Sequence, residues 1–178
     1  MRFTMFRVFC TLLLALELRG QSITRHTNDK CEVLDKSFVE FPICNLKSLG
    51  RGIIAENVYI KILKLPVQKI SVNFAVYKKL SGYHPFLFNV TVDLCHYMKH
   101  PNPINIVHYF HIALKPFSNF NHSCPYNVNN NYHDIVVKDF ALTDQMFARI
   151  PLPIENYMFS IEMATLNTYF DVNVDNQN

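Results

Sequence analysis

Alternation of apolar and polar side chains between Pro85 and Cys95 is the feature that most restricts the fold of this chain. Phenylalanine, valine and leucine fill every second position from Phe86 to Leu94, and three of the four positions between them hold asparagine, threonine or aspartate. A repeat of two residues is typical of a β-strand with one face buried and the other in water. The segment therefore predicts a sheet whose outer face is solvated.

Further β-capable segments indicate a mainly β chain. Strands are predicted at 31–39, 57–65, 70–77, 86–94, 135–137, 157–164 and 170–174. The Ser81–His84 turn makes two of these, 70–77 and 86–94, hairpin partners. Strands repeating at intervals of about ten residues predict an antiparallel β-sandwich, with a closed lipocalin-like barrel as the alternative.

One helix interrupts this pattern. Pro101 and Pro103 break the chain, and apolar residues then recur at steps of three and four, at Ile106, Val107, Phe110, Ala113, Leu114 and Phe117. This spacing predicts a single amphipathic helix with Pro103 near its start and Pro116 near its end.

The N-terminus resembles a secretory signal. Two arginines flank its start, Val8–Leu16 is an apolar run, and Gly20 offers a cleavage point. A membrane-spanning helix needs about 20 apolar residues, and charged side chains interrupt this run before that length. We expect a signal peptide over 1–20, a single domain over 21–178 and no stable membrane anchor.

The cysteines fit an oxidising, extracellular location. Cys10 lies in the predicted signal, and the four others are Cys31, Cys44, Cys95 and Cys124. An even number in a secreted chain predicts two disulfides with three alternative pairings. Sequence order favours Cys31–Cys44 and Cys95–Cys124. A zinc site is disfavoured because no Cys-x-x-Cys pair is present.

Two acceptor sequences predict N-glycosylation at Asn89 and Asn121. They are Asn89-Val-Thr91 and Asn121-His-Ser123, and the first lies on the polar positions of its predicted strand. The formal net charge of +3 comes partly from the predicted signal, so no basic surface for nucleic acid is expected.

The histidine pairs do not complete a catalytic or metal site. His108 and His111 are three apart on the predicted helix, and His96 and His100 are four apart before it. No carboxylate within that helix completes a set of ligands, and no serine lies in a Gly-x-Ser-x-Gly turn. We expect no catalytic residue, no metal, no cofactor and no enzyme activity.

Aromatic residues form the candidate ligand site. The chain has 15 phenylalanines and nine tyrosines without tryptophan. The residues predicted to line a cavity between the sheets and the helix are Phe74, Phe86, Phe88, Phe110, Phe117, Tyr157, Phe159 and Ile161. The alternative is ordinary core packing, because protein interiors close to crystal-like density.

Several motifs resemble an insect family of small secreted proteins known as a domain of unknown function. The matching segments are Cys31–Asp35, Leu65–Val67, Tyr77–Cys95, Asn121–Tyr126, His133–Val137 and Pro151–Met158. That family is distantly similar to the lipid-recognition sandwiches of the ML superfamily, whose two sheets splay apart around a hydrophobic ligand. The resemblance thus implies an immunoglobulin-like antiparallel β-sandwich with one inserted helix.

The resemblance implies a secreted binding protein for a lipid or another small hydrophobic ligand, acting as a chemosensory carrier or as a receptor co-factor. The alternative is an extracellular interaction module with a solid core. In that case the polar loop 127–132 and exposed aromatic residues would bind a receptor or other partner protein.

Overall fold

A computed structural model describes residues 24–33, 35–121, 124–126, 134–148, 150, 152–153, 155–165 and 168–177, with the backbone alone for 165 and 168–177. The predicted signal peptide and the loop 127–132 lie outside these residues.

Within these residues, eight strands form two antiparallel sheets. They are β1 (Arg25–Val33), β2 (Val39–Gly50), β3 (Ile53–Ile62), β4 (Ile70–Lys79), β5 (Tyr83–Asp93), β6 (Ile135–Ala141), β7 (Tyr157–Thr165) and β8 (Thr168–Gln177). One sheet has five strands in the order β1–β8–β7–β4–β5, and the other has three in the order β2–β3–β6. The predicted antiparallel sandwich is therefore confirmed, and the two separate sheets argue against a closed barrel.

The alternation of apolar and polar side chains between Pro85 and Cys95 is present in β5. Every second residue from Phe86 to Val92 is half-buried, and the residues between them are exposed. β5 pairs with β4 as a hairpin, in which Leu80 N donates to Gly82 O at 2.8 Å. Period-2 patterning alone thus located this hairpin and its buried face.

The N-terminal strands differ from the prediction of one strand over 31–39. The chain turns there, because the Asp35 carboxylate accepts hydrogen bonds from Ser37 N at 2.8 Å and Ser37 Oγ at 2.6 Å. This side-chain turn competes with continued pairing. β2 then runs through Pro42, which lies at a register shift where its missing N–H costs no ladder hydrogen bond.

Two helices, rather than one, connect β5 to β6. They are α1 (Leu94–Lys99) and α2 (Ile106–Leu114). α1 was not predicted: the alternating segment ends at Asp93, whose carboxylate caps the helix by accepting from His96 N at 3.0 Å. α2 is the predicted helix, and its last turn tightens into a 3₁₀ turn at Lys115–Phe117, which contains Pro116.

Phe110 fixes α2 against the five-stranded sheet. Its ring centroid lies 6.4 Å from that of Phe74 on β4, 5.8 Å from that of Phe88 on β5 and 6.0 Å from that of Phe159 on β7. Aromatic pairs at these separations contribute favourable packing beyond their buried area. One helical side chain thus contacts three neighbouring strands.

Two disulfides join the elements in the pairing that sequence order favours. Cys31–Cys44 links β1 to β2, and therefore links the two sheets, with a Cα separation of 6.2 Å. Cys95–Cys124 links α1 to the segment that precedes β6, with a Cα separation of 5.3 Å. The same segment is anchored by paired backbone hydrogen bonds of 3.0 Å between Val67 and Tyr126.

Opening Cys95–Cys124 should destabilise the protein more than opening Cys31–Cys44. The bridges span 29 and 13 residues, and loop entropy assigns each a few kcal/mol, with about 0.7 kcal/mol more for the longer loop. Urea unfolding of the Cys95→Ala/Cys124→Ala and Cys31→Ala/Cys44→Ala variants measures the difference. A larger loss for the second variant would contradict the expected order.

Candidate functional site

A cavity of about 150 Å³ lies between the two sheets, α2 and the 3₁₀ turn Asp144–Phe147. Its wall is mainly apolar, and it combines aromatic with aliphatic side chains. The phenylalanines that line it are Phe74, Phe88, Phe110, Phe120, Phe140, Phe147 and Phe159.

The strands supply the aliphatic part of the wall by alternation. On a strand, residues two apart point to the same face. The lining pairs at this spacing are Val58 and Ile60 on β3, Val72 and Phe74 on β4, Ile135 and Val137 on β6, and Ile161 and Met163 on β7. The cavity therefore follows from the same period that builds the sheets.

Five of the eight residues predicted to line a cavity do so. They are Phe74, Phe88, Phe110, Phe159 and Ile161. The other three, Phe86, Phe117 and Tyr157, are not among the lining residues and need a physical explanation.

A bulge in β5 removes Phe86 from the wall. The β4–β5 register shifts between Ala75 and Val76, and Leu87 in the bulge has a φ of 64°. A bulge bends its strand and re-aims the side chains beside it. Phe86 instead stacks on Tyr157 with ring centroids 5.7 Å apart. The alternation of the sequence does not reveal this irregularity.

Tyr157 and Phe117 serve the packing around the cavity. Tyr157 is fully buried, and its hydroxyl donates to Pro153 O at 2.9 Å. Phe117 lies in the 3₁₀ turn after α2, where it packs edge-on against Phe140 at 5.5 Å. Phe117 thus supports a lining residue from behind.

Three buried polar residues that the sequence patterns did not single out also line the cavity: His26, Glu56 and Ser160. Glu56 shares the strand parity of Val58 and Ile60, and that parity alone would have placed it toward the core. His26 precedes the first predicted strand, so no pattern pointed to it. The side chains are 2% exposed for His26 and 5% exposed for Glu56.

Phe140 on β6 connects these two polar residues. It is the β-ladder partner of Glu56. Its ring also packs edge-on against the His26 ring, with centroids 5.7 Å apart. We call His26 and Glu56 the polar end of the cavity.

Burial keeps both groups of the polar end uncharged near neutral pH. It raises the pKa of Glu56 to about 8, and the negative charge of Asp29 acts in the same direction. Burial lowers the pKa of His26 to about 4, opposed by the Phe140 carbonyl. The charged forms are disfavoured because each would lose its hydration.

The polar end has hydrogen-bonding capacity that the described residues do not use. The Phe140 carbonyl engages at most one ring nitrogen of His26, and the other has no hydrogen-bond partner among the described residues. Tyr109, another lining residue, donates its hydroxyl to Met146 O. Lysine and arginine do not occur among the lining residues.

The helical histidines are held in a hydrogen-bond network. The Tyr97 hydroxyl lies 3.0 Å from His108 Nδ1 and 2.9 Å from His111 Nδ1, and His111 Nε2 lies 3.2 Å from Phe120 O. A carbonyl only accepts, so neutral His111 carries its proton on Nε2 and accepts from Tyr97. His108 Nδ1 then donates to the Tyr97 oxygen.

The four histidines are therefore not gathered at one centre in the described part of the chain. Rings of His96 and His100 lie together with centroids 5.2 Å apart, away from this network. Within the described residues, one group of side chains has the spacing of metal ligands, and it consists of Asp29, Cys31 and Cys44. Its two sulfurs are joined in a disulfide and have no thiolate to offer.

The first acceptor sequence lies on an exposed edge strand. Asn89 and Thr91 are exposed on β5, where Asn73 Nδ2 donates to Asn89 Oδ1 at 2.7 Å and to Thr91 Oγ1 at 2.9 Å. The Asn89 amide nitrogen, where a glycan would be attached, is not used in these bonds. Asn121 is also exposed, while Ser123 lies outside the described residues.

Residues 72–159 match the model of a family described as "Protein of unknown function (DUF1091)". The chain therefore contains a domain of unknown function. The match runs from β4 into β7 and includes α2 with its aromatic contacts, whereas His26 and Glu56 precede it. A comparison with curated proteins gives no match. Every helix in the described ranges falls short of the length and hydrophobicity needed to cross a bilayer.

Glu56 should make stability fall as pH rises from 6.5 to 8. In this range the native state keeps a proton that unfolded Glu56, with a pKa of 4.5, has released. His26 and Asp29 contribute slopes of opposite sign that fade above pH 6.5, because burial lowers the pKa of His26 to about 4 and raises that of Asp29 to about 6. The expected loss in the free energy of unfolding is about 2 kcal/mol.

Guanidinium chloride unfolding at both pH values, with Glu56→Gln as the matched variant, measures this loss. The variant cannot titrate at residue 56 and should show a flatter profile. Equal slopes in the two proteins would show that native Glu56 is ionised throughout this range.

Proposed function

We propose that this protein is a secreted binding protein that holds a small apolar molecule in the cavity between its sheets. The cavity itself carries the proposal. Protein interiors normally pack to crystal-like density, so a void lined by seven phenylalanine rings is unusual for a purely structural core. Cavities with apolar walls and a few polar groups are the usual form of small-molecule sites.

The volume favours a ligand about the size of one aromatic ring. An apolar cavity of about 150 Å³ is large enough for benzene, whereas pockets for drug-sized ligands measure about 300–1,000 Å³. The cavity between the two sheets, at about 150 Å³, has the size that holds benzene. A small odorant-like molecule is therefore a better candidate than a complete fatty acyl chain.

Secretion is supported by the disulfides and by the exposed acceptor sequence at Asn89. Disulfides persist mainly in oxidising compartments. The two bridges here span 13 and 29 residues, and the shorter one joins the two sheets. Attachment of a glycan to Asn89 needs an exposed amide, as β5 provides.

An interaction module is the alternative function. Its proposed working loop, 127–132, lies outside the described residues. Ile104, between the two helices, is 94% exposed and could contact a partner. Single exposed apolar side chains are common on protein surfaces, so this observation weighs less than the cavity.

Filling the cavity should abolish binding of a small apolar probe. Ala113 on α2 lines the cavity, and Ala113→Leu would occupy part of it. Overpacking costs about 1–3 kcal/mol, so the affinity for benzene should fall by about tenfold or more. Calorimetry or ligand-observed NMR measures the change.

Ala148→Leu is the matched control, because Ala148 is exposed and does not line the cavity. It should bind benzene as the unmodified protein does. Equal loss in both variants, or no binding of benzene by the unmodified protein, would count against a ligand cavity.

Asn89→Gln should remove one glycan from the secreted product. Expression in insect cells, followed by glycosidase treatment and gel mobility, measures this, with Asn121→Gln as the parallel variant. Because Asn89 is exposed on an edge strand, we expect a mobility shift for Asn89→Gln. An unchanged mobility would show that Asn89 carries no glycan.

A further inference from the structure

The polar end of the cavity has no role in a purely apolar site. Both of its side chains are more than nine-tenths buried, at 2% exposure for His26 and 5% for Glu56, and both line the cavity. At least one ring nitrogen of His26 has no hydrogen-bond partner among the described residues, the Phe140 carbonyl engaging at most the other. Burying polar groups unpaired costs free energy, and a ligand that pairs them recovers part of this cost.

The charge around the polar end restricts the ligand group that fits. Among the lining residues of the described chain there is no lysine or arginine to balance a carboxylate. The negative charge of Asp29 is also felt at Glu56, and it would repel an anion. An ammonium group on the ligand would form an ion pair only with ionised Glu56. The cost of desolvating this buried ion pair offsets much of the attraction between its two charges.

A hydroxyl satisfies the polar end without introducing a charge. A protonated carboxyl donates through O–H and accepts at its carbonyl oxygen, and a neutral imidazole has one donor and one acceptor. A hydroxyl likewise donates one bond and accepts others. We propose that His26 and Glu56 bind an uncharged, hydroxyl-like group of the ligand and that the cavity discriminates against carboxylates. This inference rests on the proposed function and adds the chemical class of the ligand.

Four ligands with one ring and different substituents test the proposal on the unmodified protein. They are toluene, benzyl alcohol, benzylammonium and benzoate, compared by calorimetry at pH 7. Benzyl alcohol should bind about tenfold more tightly than toluene, which is the net effect of about one hydrogen bond. Both charged ligands should bind more weakly than benzyl alcohol.

The outcomes separate the two proposals. Absence of binding by all four ligands would overturn the ligand cavity itself. Toluene binding with no gain for benzyl alcohol would preserve the cavity and overturn the polar end. A preference for benzoate or benzylammonium over benzyl alcohol would overturn the uncharged ligand class.

Variants assign the preference to the two residues. Glu56→Met and His26→Leu each replace a buried polar group with an apolar one of similar size, which proteins usually tolerate. The double variant should bind toluene and lose the preference for benzyl alcohol. Glu56→Gln retains a donor and an acceptor, so it should keep most of the preference. Full preference in the double variant would contradict the assignment.

Discussion

The unequal width of the two sheets governs the rest of the structure. The five-stranded sheet exceeds the three-stranded one by two strands, or about 10 Å at the usual strand spacing. Its apolar face cannot be covered by the smaller sheet alone. An α-helix is about 10 Å across with its side chains, so one helix suits the gap. α2 occupies this position, with Phe110 in contact with three strands of the larger sheet.

A helix and a sheet edge do not fill such a gap as completely as a second sheet would. Side chains on one face of a strand repeat every two residues, whereas side chains on one face of a helix repeat every three or four. The two surfaces therefore meet with different spacings. The cavity lies where these two patterns meet, bounded by both sheets, α2 and the turn Asp144–Phe147. Glu56 and His26 are buried at this position, and burial there raises the pKa of Glu56 and lowers that of His26.

Strand patterning predicted most of the fold, and its failures have local causes. The alternation in β5 located the β4–β5 hairpin, but it did not show that Asp93 ends the strand by capping α1. The bulge with Leu87 at φ 64° likewise moved Phe86 to Tyr157. The helix cap at Asp93 and the bulge at Leu87 each depend on one or two residues that interrupt the alternation. A sequence pattern reveals the alternation itself and not its interruptions.

The sequence by itself determined that the chain is mainly β and antiparallel, that a helix lies at 106–114 and which order of the disulfides is preferred, because each depends on local periodicity or chain order. Only the tertiary structure decided that Glu56 and His26, 30 positions apart in the sequence, share one cavity. Strand parity gives the face to which a side chain points, but not the residue that lies opposite. That opposition is set by how two sheets and a helix stack, and it determines the volume, the burial and the charge of the site.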